Sequence, residues 1–349
     1  MKDRSEKHAN IPVFIPHLGC PHRCAFCDQN AVTGAEAPDP AKIGDYIGRA
    51  VATLGGRKAE IAFFGGSFTA IDRGLMTALL ESAQPYIRSG AVCGVRISTR
   101  PDAISEEVLD LLEAYGVTAI ELGVQSMDDG VLRASARGHS AADAEKALAA
   151  VAARKSFSLA GQMMLGLPCS DLKRELYTAR RICELGADSA RVYPTVVLAG
   201  TALERMTRQG SYTPLSLEEG VRRGAEVVKV FEAHGVRLLR LGLCEEEGCS
   251  QKTVAGCAHP AYGELVKSRL FLEELNSYFE NKPRGSTCGK TYTVFTAGGA
   301  LSGAVGYKGE NRTILTERYR CKLIFAESDR LFGRQFLIEE GQDIAPQIS

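Results

Sequence analysis

Three cysteines crowd into one short segment, Cys20-Pro-His-Arg-Cys24-Ala-Phe-Cys27, directly after the apolar run Ile11–Ile15. Cysteine thiolates are soft ligands that suit iron–sulfur clusters, zinc and copper(I). A cubane iron–sulfur cluster normally takes four cysteine ligands, so a local set of three leaves one metal corner open to another ligand. The spacing therefore predicts an iron–sulfur site in which Cys20, Cys24 and Cys27 are the metal ligands.

Zinc is the alternative metal for this segment. Four-coordinate zinc accepts three cysteines and one histidine, and His17 or His22 could complete such a set. Zinc motifs usually contain paired cysteines separated by two residues, which the separation of Cys20 and Cys24 fits poorly. The alternative to an enzyme is then a zinc-stabilised binding module.

Strand-like apolar runs alternate with segments of helical periodicity, as in proteins built from parallel β/α units. Before position 200 the predicted strands are Val13–His17, Ile61–Gly65, Val95–Thr99, Ile120–Val124, Gln162–Leu167 and Ala190–Val196. We expect an α/β fold, a partial (β/α)6 barrel that occupies residues 1–235. A small α+β C-terminal domain is expected over residues 236–349.

Glycines and polar residues recur where these strands end. Gly65-Gly66-Ser67 ends the second strand, Ser98 and Arg100 end the third, Gln125 ends the fourth and Gly166 ends the fifth. The carboxyl ends of barrel strands meet at one edge, where the active sites of such folds lie. We therefore expect these residues to surround the cysteines, although glycine pairs also make ordinary turns.

The cysteine spacing, with the aromatic Phe26 directly before the last cysteine, resembles the cluster motif of the radical S-adenosylmethionine (SAM) superfamily. The resemblance implies a [4Fe-4S] cluster whose open iron is chelated by the amino and carboxylate groups of SAM. It also implies reductive cleavage of SAM to a radical that abstracts hydrogen from a substrate. The cofactors carry the difficult step, while the protein supplies ligation and orientation. An electron donor such as flavodoxin or ferredoxin is the implied partner.

The same resemblance implies which residues contact SAM. Gly65, Gly66 and Ser67 are similar to the glycine-rich motif that holds the methionine amino group, and Phe26 is expected beside the cofactor. Because guanidinium suits anionic groups, Arg100, or else Ser98, is expected to bind the carboxylate or ribose of SAM.

Three more residues complete the expected SAM site. Gln125 is a polar amide at the end of an apolar strand, where a buried side chain needs partners and a ribose diol can supply them. Arg137 is either a ligand of the cofactor carboxylate or an ordinary loop arginine. Gly166 lies in a core-forming run of Met and Leu, and its missing side chain would let an adenine ring lie against the backbone.

A longer likeness joins the chain to the family of the Elongator catalytic subunit, which modifies the wobble uridine of tRNA. The similar segments are Cys20-Pro-His-Arg-Cys24, Gly65-Gly-Ser-Phe-Thr69, Ser98-Thr-Arg-Pro-Asp102, Glu121-Leu-Gly-Val-Gln-Ser126, Gly161-Gln-Met-Met-Leu-Gly-Leu-Pro168, Arg191-Val-Tyr-Pro-Thr195 and Val254-Ala-Gly-Cys-Ala-His-Pro-Ala-Tyr262. The likeness covers about residues 11–272, and it implies tRNA as a substrate.

Two departures limit what this likeness implies. The Elongator subunit spaces its cluster cysteines more widely. It also carries an acetyltransferase domain, for which the 77 residues after position 272 are too few. We therefore expect SAM cleavage without the carboxymethylation reaction. A small-molecule enzyme related to oxygen-independent coproporphyrinogen oxidase is the alternative.

Amino-acid composition and charge limit which partners and cellular locations we expect for this protein. The 349 residues contain 42 basic and 42 acidic side chains, so net charge gives no support for a nucleic-acid partner. No apolar stretch approaches the ~18 residues that a membrane span needs, and the charged first eight residues lack the apolar core of a secretion signal. Eleven cysteines without such a signal favour metal ligation in a reducing compartment. We expect a cytoplasmic protein with no membrane contact.

A looser trio, Cys244, Cys249 and Cys257, raises the question of a second cluster. Its spacing of four and then seven residues matches no ligand pattern that we can justify. Free cysteines are commonly buried as small apolar residues, and this interpretation is preferred for the trio.

Overall fold

The computed structural model describes residues 9–15, 18–20, 24–27, 39–243 and 252–341. Contacts between Cα atoms divide the chain into two units. The first runs to Gly220 and includes Glu226–Pro260, and the second comprises Val221–Ala225 and the chain from Ala261 onward.

A seven-stranded sheet in which all neighbours are parallel forms the centre of the first unit. In sheet order its strands are β1 (Ala9–Phe14), β2 (Ala59–Phe64), β3 (Gly94–Thr99), β4 (Val117–Gln125), β5 (Ser158–Leu165), β6 (Ser189–Pro194) and β8 (Arg237–Leu241). The sheet curls into a half-barrel, which confirms the predicted partial barrel. A short antiparallel pair, β7 (Val196–Leu198) with β9 (Thr253–Gly256), belongs to the same unit.

Helices connect the strands. They are α1 (Pro40–Ala52), α2 (Arg73–Arg88), α3 (Glu106–Ala114), α4 (Asp129–Ala134), α5 (Ala141–Ala152), α6 (Leu172–Glu184), α7 (Ala202–Arg208) and α8 (Leu217–Ala233). Local signals place their starts, since Ser105 accepts from the Val108 N–H at 3.3 Å and Ser140 forms a capping box with Asp143. Short 3₁₀ turns at Phe68–Ala70 and Pro101–Ala103 follow β2 and β3.

The apolar core lies between the sheet and the helices. Along β3 and β4, Val95, Ile97, Ile120 and Leu122 are fully buried in that core. The residues that alternate with them, such as Glu121, point to the opposite, concave face, because successive strand side chains alternate between faces. Apolar residues thus hold the barrel wall together while polar residues line its interior.

The domain boundary differs from the one expected after residue 235. Strand β8 pairs with β6 through partners such as Arg191 and Arg240, so residues 237–241 belong to the large sheet. The first unit accordingly extends to Pro260. The short run of Leu238–Leu241 resembles the strands expected in the later domain, and only its pairing assigns it to the barrel.

The second unit combines a three-stranded sheet with helices. Strand β10 (Thr291–Thr296) is central, parallel to β11 (Lys322–Glu327) and antiparallel to β12 (Phe336–Glu340). Its other elements are α9 (Tyr262–Glu280), α10 (Leu301–Val305), a 3₁₀ turn at Tyr307–Gly309 and α11 (Glu310–Tyr319). Leu275, Phe279 and Tyr292 are among its buried core residues. Across the described ranges, no helix is both long and apolar enough to cross a membrane.

Candidate active site

Backbone hydrogen bonds fix the cysteine segment at the carboxyl edge of the sheet. The Ser67 N–H donates to the Leu18 carbonyl at 2.9 Å, and the Ala25 N–H donates to the Ser135 carbonyl at 2.9 Å. The Ala25 carbonyl accepts from the Leu203 N–H at 2.8 Å. The segment is thus tied to the ends of β2 and α4 and to the first turn of α7, and all three cysteines are partly exposed.

The glycine pair after β2 packs against the chain that leads from β1 into the cysteine segment. A Cβ atom at Gly66 would lie 2.4 Å from the Leu18 carbonyl oxygen and 2.5 Å from that of Ile15. Gly65 has a φ of 101°, a conformation that favours glycine. The pair therefore permits close packing of the chain that leads into the cysteine segment against the end of β2. Binding of the SAM amino group by Gly65, Gly66 and Ser67 stays a prediction.

Two buried arginines lie beside the cysteines. Arg137, 8% exposed, donates from Nη1 to the Sγ of Cys24 at 3.3 Å and from Nη2 to the Gly123 carbonyl at 2.8 Å. Arg100, 2% exposed, donates from Nη2 to the Arg137 carbonyl at 3.3 Å and forms a bidentate pair with Asp102 at 2.8 and 2.7 Å. The two side chains together place fixed positive charge next to the thiols.

That positive charge influences the pKa values of the Cys20 thiol and of His139. Burial raises the pKa of the Cys20 thiol, while the Arg137 guanidinium, a hydrogen bond from Ser67 and Arg100 act in the opposite direction. Burial and the neighbouring Arg137 lower the pKa of His139 to about 4. His139 is therefore neutral at neutral pH, and the arginines supply the charge that can stabilise thiolates as ligands.

Several buried polar atoms at this edge have no hydrogen-bond partner among the residues that the structure describes. They are Nη1 of Arg100, Oε1 of Gln125 and Nε of Arg137. Gln125 is 4% exposed and has a φ of 63°, a conformation that is costly for any residue with a side chain and tends to occur at functional sites. Buried polar groups normally have partners, so these atoms fit a bound polar ligand such as SAM.

Protein side chains pack against two of the three remaining expected SAM contacts. Phe26 is partly buried and packs against two apolar clusters, one that contains Met164 and one that contains Leu203. At Gly166 a Cβ atom would lie 2.4 Å from Cδ1 of Leu215, so that leucine explains the need for glycine. Ser98 is half-buried on the concave face. Contact of these residues with SAM stays a prediction.

The interior of the half-barrel carries a charged network that sequence reasoning missed. Arg96 lies 2.8 Å from Glu60 and 3.3 Å from Glu121, and Arg191 lies 2.6 Å from Glu121. The guanidinium of Arg191 also lies 5.5 Å from the centre of the Phe64 ring. The sequence did carry a signal for this network. Each of its members is a single charged residue within an apolar strand, at a position that alternates with core residues and therefore faces the interior.

The structure tests only some of the predicted metal ligands. In the described part of the chain, no group of three or more His, Cys, Asp or Glu side chains is arranged to hold a metal ion. His17, His22, Cys244 and Cys249 lie outside the described residues. Cys257 is fully buried, and burial raises the pKa of its thiol to about 12. That environment keeps Cys257 protonated, in agreement with a packing role.

Comparison with known proteins identifies the family. The model of the Radical SAM superfamily matches residues 14–172, and that of the Radical_SAM C-terminal domain matches residues 187–271. The uncharacterized protein MJ0486 of Methanocaldococcus jannaschii is 32% identical over 229 residues, which are 61% of this chain and 69% of that protein. The chain belongs to the radical SAM superfamily, and it is an enzyme of that class.

Two further similarities confirm the likeness to the Elongator group. The tRNA uridine(34) acetyltransferase of Dehalococcoides mccartyi is 28% identical over 240 residues, 58% of this chain and 52% of that protein. The solved structure of the Methanocaldococcus infernus Elp3 with an N-terminal deletion superposes with a TM-score of 0.61 at 20% identity, over 82% of this chain and 71% of that one. The superposition shows a shared fold. The chain spans about half the length of the acetyltransferase that it matches.

Proposed function

We propose that this chain binds a [4Fe-4S] cluster through Cys20, Cys24 and Cys27 and cleaves SAM reductively to abstract hydrogen from tRNA uridine. The observation that carries the proposal is the position of the cysteine segment at the carboxyl edge of the half-barrel, next to the buried guanidinium of Arg137. Superfamily membership and the Elongator-like relatives support it. When bound, the cluster supplies the electron that breaks the carbon–sulfur bond of SAM.

The protein's own part is to hold and orient these groups. Arg137 offsets the negative charge that thiolate ligands bring into a partly buried segment, because its Nη1 already contacts Cys24. Arg100 is held by Asp102 through two of its nitrogens, which leaves Nη1 for the carboxylate of SAM. Gln125 offers Oε1 to a ribose hydroxyl from the same edge.

Assignment of the substrate rests on the relatives rather than on charge. The match to a tRNA uridine(34) acetyltransferase covers 52% of that protein, so only the radical step is proposed for this chain and not acetyl transfer. The whole sequence is neutral, which means that RNA contacts must come from local surfaces. We place the reaction in the cytoplasm, with a flavodoxin or ferredoxin as the electron donor.

The chemistry is tested by anaerobic reconstitution with iron and sulfide. The full chain should become brown, bind about four irons, and release 5′-deoxyadenosine from SAM when a strong reductant is added. The Cys20→Ala, Cys24→Ala and Cys27→Ala variants should release none. A colourless protein with one tightly bound zinc ion would replace the proposal with a zinc-stabilised binding module.

The substrate is tested by the response to tRNA. Unfractionated tRNA should be retained at low ionic strength and lost as salt rises, because phosphate contacts release counterions. It should also increase 5′-deoxyadenosine release, and deuterium at the uridine base should appear in that product. Active SAM cleavage without tRNA retention at any salt concentration would reject tRNA and favour a small-molecule substrate.

A further inference from the structure

A row of hydrogen-bond donors on the concave face of the half-barrel extends the charged network by two residues that the network does not use, Gln162 and Arg240. Gln162 on β5, Arg191 on β6 and Arg240 on β8 are register partners across neighbouring strands. Parallel strands lie about 4.8 Å apart, so the three side chains start from adjacent positions on one face. The row begins beside Glu121 and ends at the last strand of the sheet.

Of the two arginines in this row, only Arg191 is paired with a carboxylate within the described ranges of the chain. Arg191 lies 2.6 Å from Glu121, and Glu121 also lies 3.3 Å from Arg96, whose second carboxylate partner is Glu60 at 2.8 Å. Three interior guanidiniums therefore face two carboxylates. Arg240 is the third guanidinium, and it forms no ion pair with a residue that the structure describes.

The neighbours of Arg240 add neutral donors. Tyr193 lies close enough for the charge of Arg240 to act on its hydroxyl, and burial raises the pKa of Tyr193, so the hydroxyl keeps its proton. Arg191 donates to that oxygen at 3.5 Å, which leaves the Tyr193 O–H free to donate elsewhere. Gln162, two strands away from Arg240, is half-buried with a side-chain amide that makes no hydrogen bond within the described residues.

We propose that Arg240 and Tyr193 form an oxyanion site inside the half-barrel that binds a phosphate of the substrate nucleotide, with Gln162 contacting the attached base. An uncompensated guanidinium beside a hydroxyl donor suits a phosphate, to which arginine donates two parallel hydrogen bonds. The backbone positions of Gln162 and Arg240 are two strand spacings, about 10 Å, apart. A nucleotide can bridge that distance, with its phosphate at Arg240 and its base at Gln162. An amide can both donate to and accept from a pyrimidine edge. The inference rests on the proposed nucleotide substrate.

The test compares uridine 5′-monophosphate with uridine as probes of the full-length, reconstituted protein in low salt. Wild type should bind the monophosphate about tenfold more tightly than uridine, because hydrogen bonds to a charged group carry that much free energy. Arg240→Gln should abolish this preference, and Arg240→Lys should keep part of it. Gln162→Ala should weaken both probes equally and leave the preference intact.

Arg237 provides the matched control, since it is an exposed arginine on the same strand. Arg237→Gln should behave like wild type. Equal binding of the two probes by wild type, or a preference that survives Arg240→Gln, would overturn the oxyanion site. Thermal unfolding of each variant separates a lost contact from a lost fold. The affinity of each variant for SAM should stay unchanged, and a loss confined to SAM would assign Arg240 to the cofactor instead.

The outcome is independent of the tRNA assay. If tRNA fails to stimulate SAM cleavage while the monophosphate preference still depends on Arg240, the oxyanion site stands and the substrate is a smaller phosphate ester. If tRNA stimulates cleavage in Arg240→Gln as strongly as in wild type, the proposed function stands and the oxyanion site does not.

Discussion

Arg137 donates from its Nη1 to the Sγ of Cys24 over 3.3 Å, although 113 positions of sequence separate the two residues. The arginine is held in place by the Gly123 carbonyl, which accepts from Nη2 at 2.8 Å. A buried cation fixed next to a thiol stabilises the thiolate, and it would act as the outer-shell partner of a metal bound by that thiolate. The pair thus connects the end of α4 to the cysteine segment that it supports.

Arg137→Gln should weaken iron retention by about tenfold, the usual scale for loss of an outer-shell partner. The rate at which a chelator removes iron from the reconstituted protein measures this effect. Arg133→Gln is the control, since Arg133 is exposed in the last turn of the same helix. Equal rates for the two variants would show that the contact with Cys24 does not support the cluster.

Cys24→Ala should remove the visible absorbance of the cluster, because Cys20 and Cys27, the other two thiols of the segment, are themselves proposed ligands and cannot replace the lost one. Cys169→Ala should keep it, since Cys169 is exposed and lies outside the cysteine segment. Iron content and absorbance of the two proteins, reconstituted side by side, provide the measurement. Loss of iron from Cys169→Ala would contradict the assignment of the ligands.

Glu121→Gln should lower the free energy of unfolding by about 3–5 kcal/mol, as expected when one partner of a buried ion pair is removed. The carboxylate is 2% exposed and serves both Arg96 and Arg191, so its loss leaves two buried cations poorly compensated. Urea unfolding followed by circular dichroism tests this. Glu107→Gln, which removes an 85% exposed partner of Arg73, should change stability by less than about 0.5 kcal/mol.

Gly166→Ala should destabilise the protein more than Gly210→Ala. Both glycines have a φ of 73°, so each alanine pays a similar conformational cost of about 1–2 kcal/mol. Only at Gly166 would the new Cβ also lie 2.4 Å from Leu215, whereas nothing lies within 4 Å at Gly210. Adding Leu215→Ala should recover part of the difference in chemical unfolding. Equal losses at the two glycines would mean that Leu215 moves aside freely.

His139 should make stability depend on pH between about 4 and 6.5. Burial and Arg137 lower its pKa to about 4 in the folded protein, against an ordinary value of 6.5. In that interval the unfolded chain binds the additional proton, so the free energy of unfolding falls as pH decreases and rises as pH increases. The contribution lost by pH 4 is about 2–3 kcal/mol.

His139→Gln keeps a donor for the Val124 carbonyl, which the His139 ring contacts through Nε2 at 3.2 Å, but it cannot be protonated. The unfolding free energies of wild type and variant should therefore run parallel near pH 7, apart from any constant offset, and wild type should lose stability relative to the variant as the pH falls towards 4. Parallel pH profiles for the two proteins would mean that His139 is not buried in its neutral form.

The barrel and the cysteine site follow from local sequence. Apolar runs such as Val95–Thr99, separated by helical segments, specify parallel β/α units, because strand and helix periodicities are local properties. The carboxyl ends of such strands share one edge, so Cys24, Arg100 and Gln125 were expected together before any contact was known. The spacing of the cysteines predicted an iron–sulfur site at this edge, and their role as ligands stays a prediction.

Tertiary structure decided what those residues contact. Glu121 meets Arg96 and Arg191 because of strand register, which periodicity does not reveal. The same pairing assigns β8 and Arg240 to the barrel, although sequence placed them in the later domain. Leu215 lies over Gly166, although the two are 49 positions apart in the sequence. Such contacts depend on how distant segments pack, and local patterns carry no information about which distant side chain will fill a given space.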